Sequence, residues 1–384
     1  MNLFKASNQW SNRPVDERFA TLQELHDAVS TYRQSAVEKT VPFNTLRAEA
    51  KDGEVLLVGK GNIPARLTHW SFGQLAQSVN APASYLRALP ASLAVQNLNH
   101  GLVKVADRSD RELLFHANGD LLARAITSEK YTRIWNSDIT SRLLRLPDLG
   151  WQVPPARPAY PDQPGTRKAT IEDVLHGARF GLSVNVGDEI APAGLYASDH
   201  DMFVFMVNDA KRISEPGNPD GLARGFFISN SEVGSAAFTV TRFLYRHVCG
   251  NHIVWGAKQV SELRIKHIGN ADDRAFGEIT GQLREYAEDS ASDDEARIKR
   301  AVSCVLGKDK DEVLDRLFGI KNLGVTRKSL DLAYDLCEVR EPDLNPNSAW
   351  GMAQGLTRLS QETPYADERV DADRAAGKVL AVAF

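Results

Sequence analysis

Between residues 15 and 34 apolar side chains recur at Phe19, Leu22, Leu25, Ala28, Val29 and Tyr32, the spacing of one face of a helix. Two short apolar runs follow, Thr45–Ala48 and Val55–Val58. The segment between them contains Asp52-Gly53, which predicts a hairpin running into a polar turn at Gly59–Gly61. Helical spacing returns from Ser71 to Lys104, with breaks at Pro82 and Pro90, because proline cannot donate to the helix ladder. Leu113–Phe115 and Leu121–Ile126 then flank Asn118-Gly119, a dipeptide that accepts the positive φ angles of a tight hairpin turn. From Pro147 to Pro164, six of the chain's 17 prolines fall within 18 positions, which predicts a loop or linker without regular structure. Beyond it the runs Phe180–Val186, Met202–Asn208, Gly225–Ser229, Ala236–Val240 and Ile253–Trp255 are rich in aromatic and branched residues and bounded by Gly, Pro, Asn and Asp. They predict strands of one sheet. After Gly269 the pattern turns charged and helical, over 271–288, 293–306, 309–318, 326–338, 347–360 and 366–378.

Strands followed by helices, without strict alternation, predict an α+β fold with a mainly antiparallel sheet in the centre and an all-helical C-terminal region. At 384 residues the chain exceeds one ordinary core. The boundaries read as an N-terminal α+β region over 1–146 with a helical hairpin and a β-hairpin, a Pro-rich linker over 147–165, a β-rich region over 166–270 and a helical region over 271–384.

Apolar residues at 42% and charged residues at 25% exclude a disordered or fibrous chain. A net charge of −4 removes any global attraction to nucleic acid or an anionic membrane, so such binding requires a local patch. Cys249, Cys304 and Cys337 are odd in number and widely spaced, which argues against a disulfide framework and for a reducing compartment. The opening MNLFKASNQWSNRP has no basic region followed by an apolar run, and the apolar stretches fall well short of the ~20 residues that cross a bilayer. The expected location is cytoplasmic, with no membrane partner.

Several chemistries are missing from the sequence. No G-x-x-x-x-G-K-[ST] occurs, Gly59-Lys60-Gly61 is followed by Pro64 where a third glycine is wanted, and H-E-x-x-H and G-x-S-x-G are absent. No cofactor is expected. His247, Cys249, His252 and His267 include a C-x-x-H spacing, but the set matches no standard zinc module, so no metal site is assigned. Asp199, Asp201, Asp209 and Lys211 bracket the apolar run Met202–Asn208 in a pattern that could hold Mg²⁺ and orient a water, as in metal-dependent nucleases; the same pattern is that of a strand with polar ends. Phe72–Leu89 has the rhythm of a helix-turn-helix, but only Ser84, Tyr85 and Arg87 are available to read base edges, and a plain helical hairpin has the same spacing. The segment 224–267 carries Arg224, Arg242, Arg246, Lys258, Arg264 and Lys266 against Glu232 and Glu262, a local +4 (6 − 2), interleaved with Phe226, Phe227, Phe243, Tyr245 and Trp255. Bases alternating with aromatics suit contact with phosphates and stacking on nucleobases, and equally suit a sheet core with charges turned outward.

The stretch Ala223–Cys249, ARGFFISNSEVGSAAFTVTRFLYRHVC, followed by Asn251 and by Arg264-Ile-Lys-His267, resembles the central signature of the domain of unknown function 932 family of phage- and plasmid-like proteins. Phe72–Pro90, Leu122–Tyr131 (LARAITSEKY) and Asn347–Leu356 (NSAWGMAQGL) extend the resemblance over about residues 70 to 380, with NSEVG its most specific part. The family transfers no catalytic role to any residue. It implies a setting in the DNA metabolism of mobile elements. The leading expectation is therefore a nucleic-acid-binding protein, of the single-strand-binding or annealing kind, using Arg242, Arg246, Arg264, Lys266 and Tyr245 on one exposed surface. A homo-oligomeric form is compatible with it. The alternatives are a metal-dependent nuclease using Asp199, Asp201, Asp209 and Lys211, and a non-enzymatic interaction scaffold; no reaction is assigned.

Overall fold

The computed structural model describes residues 17–59, 63–104, 109–118, 120–159, 166–179, 183–191, 195–215, 218–246, 251–253, 263–340, 342–362 and 375–383. The chain opens with β1 (Arg18–Phe19) and α1 (Leu22–Gln34). Thr21 and Glu24 cap α1 reciprocally through a capping box. A first sheet then forms from β2 (Ala36–Pro42), β3 (Arg47–Lys51), β4 (Glu54–Val58) and β5 (Pro64–Leu67), is interrupted by α2 (His69–Ser78), α3 (Ala83–Ala88) and α4 (Ala91–Lys104), and is completed by β6 (Asp110–Asn118) and β7 (Asp120–Ser128). Its strand order is β2-β6-β7-β5-β4-β3.

Both predicted hairpins are present. Lys51 pairs with Glu54 across Asp52 and Gly53, at φ 52° and 82°, the two positive angles that a two-residue turn of this hand requires. Asn118 pairs with Asp120, and Gly119 lies outside the described residues, as do Lys60 and Gly61 of the predicted polar turn. Proline spaces the helices as expected, α3 beginning after Pro82 and α4 after Pro90. Asn80, at φ 56°, ends α2. The three helices cover one face of the first sheet, where Phe43, Leu57, Leu75, Ala76 and Leu98 are fully buried.

After α5 (Asn136–Leu143) come β8 (Trp151–Gln152), β9 (Arg157–Pro158), β10 (Arg167–Lys168), α6 (Ile171–Arg179), β11 (Glu189–Ala191) and β12 (Leu195–Ala197). Two expectations are corrected here. The proline-rich stretch is not free of regular structure: Trp151 and Gln152 pair with Asn208 and Val207, and the Trp151 ring is wholly buried against Phe226. Prolines flank β8 without entering it, while Pro158 ends β9 where it pairs with Ile190, and two residues suffice to pin each segment. The run Phe180–Val186 is not a strand over its described part: the Asp188 carboxylate accepts from the Asn185 N–H, and Gly187, at φ 90°, turns the chain. Local side-chain bonds here outweigh strand propensity.

The second sheet is built on a long hairpin of β13 (Met202–Glu215) and β14 (Asn218–Asn230), followed by β15 (Phe238–Arg246), β16 (Asn251–Ile253) and β17 (Leu263–Ile265). The order is β1-β12-β13-β14-β15-β16, with β17 on β15 and β8 on β13, and every described pairing in it is antiparallel. Both faces are buried, so its strands read as nearly continuous apolar runs. Phe226, Ile228, Val204 and Val240 face α1, α5 and α7 (Ala271–Glu288), while Phe203, Phe205, Phe227 and Phe243 form a ring cluster on the other face. A Cβ on Gly225 would overlap the Phe243 ring, so glycine there makes room for the aromatic.

The C-terminal region continues with α8 (Ser292–Ser303), α9 (Lys310–Phe318), α10 (Arg327–Arg340) and α11 (Ala349–Glu362), and residues 375–381 are helical. These helices pack on the far end of the second sheet around Ile213, Leu222 and Leu244. Within NSAWGMAQGL, Trp350 donates to the buried Glu215 carboxylate at 3.1 Å, and a Cβ on Gly355 would overlap the Ala333 carbonyl. The motif therefore sets the close approach of α11 to α10.

Candidate functional site at the joint between the sheets

The connection from β14 to β15 carries the segment Asn230–Ser235, and it inserts into the first sheet. Glu232, 3% exposed, accepts from Arg124 of β7 at 3.3 Å and from the N–H of Asn136, the first residue of α5, at 2.9 Å. A carboxylate against the first turn of a helix also meets the positive end of its dipole. The Glu232 carbonyl accepts from Arg133, whose guanidinium reaches Glu38 at 2.7 Å and Glu112 at 2.6 Å. Burial raises the Glu112 carboxyl above its ordinary range despite that partner.

The neighbouring residues follow the same logic. The Val233 carbonyl accepts from Trp70 at 3.0 Å and Gln74 at 2.8 Å, and Gln74 in turn accepts from the Ile126 N–H. Tyr131 donates to the Ser231 carbonyl at 2.7 Å. Asn230 donates to the Ile134 carbonyl and to the Asn136 side chain. Ser231 and Ser235 both donate to the His200 carbonyl, and Arg124 donates to that of Asp199.

On the other side, Tyr131 forms a bridge with Ile268, and its ring lies flat on His267 at 4.9 Å. Burial lowers the His267 pKa to about 4. Its Nδ1 lies 3.1 Å from the Thr132 carbonyl, and its Nε2 is buried without a hydrogen-bond partner among the described residues.

Beside this joint a cleft of about 500 Å³ opens on the first sheet, lined by Gln74, Gln77 and Ser78 of α2, by Ser109 just before β6, by Arg111, Ile126 and Thr127 on the strands, and by Ser128, Glu129 and Lys130 at its rim. The Cβ position of Gly234 is 3.5–3.6 Å from Gln74, Thr127 and Tyr131, so the signature loop supports the back of the cleft.

Of the residues expected to bind nucleic acid, Arg242 does not lie on an exposed surface. Arg242 is 4% exposed, donates to Gln282 at 2.6 Å and lies over the Tyr286 ring. Arg224 donates to the carbonyls of Tyr286, Asp289 and Ser290 and to Asp294. These two bases hold the C-terminal end of α7, where a cation meets unsatisfied carbonyls. Their aromatic neighbours Phe226, Phe227 and Phe243 are core. Arg264 and Lys266 are exposed; the side chains of Tyr245 and Arg246, and residues Trp255 and Lys258, lie outside the described residues.

The acids of the nuclease pattern are separated. Asp201 is buried, receives Ser198 and Tyr196, and precedes β13, whereas Asp209 lies eight positions further along that strand, about 26 Å away at strand rise. Asp199 is held below the ordinary carboxylate range by its hydrogen bond with His200. The side chains of Asp209, Lys211 and His252, and residues His247 and Cys249, lie outside the described residues. Among the described residues no group of three His, Cys, Asp or Glu could hold a metal ion. The predicted helical hairpin is present, but Arg87 turns back to the His69 carbonyl and the Phe72 ring, which leaves Ser84 and Tyr85 outward.

Arg124, Arg133 and Gln74 carry the joint and were not singled out by sequence. The signal for Arg124 was an arginine on an apolar strand, LARAI, where a buried position demands a partner.

The class defined by this architecture is an α+β protein of two principal sheets locked by a buried polar loop. Residues 175–357 match the family model described as Domain of unknown function (DUF932), which bears out the family resemblance read from the sequence. No curated protein and no solved structure matches it. Among the described residues no helix is long and apolar enough to cross a membrane.

Proposed function

We propose that this chain is a nucleic-acid-binding protein that contacts the backbone of a single strand along the edge marked by Lys130, Arg264 and Lys266. One observation carries the reading: all three cations are exposed, and none has an ion-pair partner among the described residues. The isolated bridge between Tyr131 and Ile268 joins the two segments that carry them, Lys130 one position before Tyr131 and Lys266 two positions before Ile268. Unpaired cations in an acidic protein suit a polyanion, because phosphates release counterions when they are neutralised. The buried Arg224 and Arg242 serve the fold and take no part.

The test is a titration of labelled single-stranded and duplex oligonucleotides at about 50 and about 200 mM salt, where each phosphate contact to a single strand contributes about 0.7 to the slope of log K against log salt. Wild type should bind single strands at low salt and lose affinity as salt rises. Joint reversal, Lys130→Glu with Arg264→Glu and Lys266→Glu, should abolish that binding. No binding by wild type at low salt, or unchanged affinity in the reversed variant, removes the reading.

A further inference from the structure

We propose that the cleft beside the joint is a binding site for a phosphorylated pentose, taken either as a free sugar phosphate or as the 5′-phosphorylated end of a strand. The second source rests on the nucleic-acid reading above; the first does not. The volume, about 500 Å³, lies in the range of small-molecule sites and exceeds what a sugar phosphate fills.

The chemistry of the walls selects the ligand. Part of the lining is already committed and rigid: Gln74 uses both ends of its amide, on the Val233 carbonyl and the Ile126 N–H, Ser78 donates to the Gln74 carbonyl at 2.6 Å, and Thr127 donates to that of Glu112. Arg111 lies across the Phe43 ring at 4.7 Å and donates to the Asp110 carbonyl, which fixes its guanidinium on the wall. Uncommitted side chains remain at the rim: the Gln77 amide, the Ser128 hydroxyl, the Glu129 carboxylate and the Lys130 ammonium have no partner among the described residues.

An ammonium beside a fixed guanidinium suits a phosphate, to which charged donors bind more strongly than neutral ones. A carboxylate, an amide and a hydroxyl suit vicinal hydroxyls, which both donate and accept. A purely apolar ligand finds only Ile126, and a bare anion leaves Glu129 facing like charge. The signature loop supports this site through Gly234 and the Val233 carbonyl, which ties the most specific motif of the chain to a cleft. Lys130 belongs both to the cleft rim and to the cationic edge, so a strand tracked by Arg264 and Lys266 would end with its terminal sugar phosphate in the cleft.

Calorimetric titration of the full chain with ribose 5-phosphate, ribose and inorganic phosphate tests the site alone. Ribose 5-phosphate should bind more tightly than either fragment, and Lys130→Ala and Gln77→Ala, both exposed, should weaken it, the lysine variant by about tenfold or more. Thermal unfolding of each variant confirms that the fold is kept. Oligonucleotides with and without a 5′-phosphate then distinguish the sources: preference for the phosphorylated end assigns the strand terminus. Binding of ribose 5-phosphate without any oligonucleotide binding keeps the site as one for a free sugar phosphate and removes the nucleic-acid reading. Absence of ribose 5-phosphate binding, or equal binding in wild type and both variants, overturns the proposal even where oligonucleotides bind.

Discussion

Arg124 and Glu232 stand 108 positions apart in the chain and meet at 3.3 Å with both side chains almost wholly withdrawn from solvent. Removing one partner of such a pair leaves an uncompensated buried charge, which costs about 3–5 kcal/mol. Glu232→Ala should therefore lower the free energy of unfolding by that order in urea titrations. Glu54→Ala, which breaks the half-exposed pair with Arg66, should cost no more than about 1 kcal/mol. Equal losses would mean that the joint pair adds nothing beyond a surface contact.

Arg224 tests the assignment of the basic segment to the fold. Arg224→Met removes the donor to three carbonyls at the end of α7 and strands Asp294, whose carboxyl burial already raises above its ordinary range. The expected loss is again about 3–5 kcal/mol in stability. At temperatures where the variant stays folded, oligonucleotide affinity should match wild type. A selective loss of affinity at full stability would return Arg224 to the binding surface.

Gly225→Ala should destabilise by about 1–3 kcal/mol, the usual cost of an extra group forced into a packed core. The cause is specific, because the added Cβ meets the Phe243 ring. In a Phe243→Leu background the penalty should shrink, with a coupling of at least about 0.5 kcal/mol in a double-mutant cycle. Additive losses would locate the strain elsewhere.

His267 sets a pH dependence. Its folded pKa is lowered to about 4 from the ordinary 6.5, chiefly by burial, with Arg133 adding to it. Between those two values the unfolded chain binds more protons than the folded one. Stability therefore falls as pH drops from 6.5 towards 4, by about 3 kcal/mol in full, and this contribution changes no further below about 4. Asp173, lowered to about 2 by Arg167, acts further down, since its contribution is present above 3.8 and is lost as pH falls through about 2. Denaturant midpoints of His267→Gln measured against pH should be flatter than wild type across the upper window. Parallel curves would assign the slope to another group.

Local patterns were readable in proportion to how local their causes are. The two hairpins, the proline-spaced helices after Pro82 and Pro90 and the helix at Ala271–Glu288 all follow from turn chemistry or periodicity within a few residues. The side that Arg224 and Arg242 face was not readable. Period two says that alternate residues share a face, while only the packing of α7 decides that this face is dry. Trp151 was hidden by the prolines around it, because its strand partners Asn208 and Val207 lie more than fifty positions away. For the candidate site, the sequence singled out the NSEVG loop and the exposed Arg264 and Lys266, and it overlooked Gln77, Arg111 and Lys130, which are ordinary polar residues until the fold sets them round one opening.

The matched segment starts at residue 175, whereas the groups that answer its loop, namely Trp70, Gln74, Arg124, Tyr131, Arg133 and Asn136, all precede it. The unit of resemblance and the unit of folding thus have different borders. A fragment cut at the edges of the resemblance would carry a glutamate and several carbonyls built for donors left behind in the discarded half. The loop is consequently not portable: grafted into another scaffold it would need its arginines, its tyrosine and the start of its helix to travel with it.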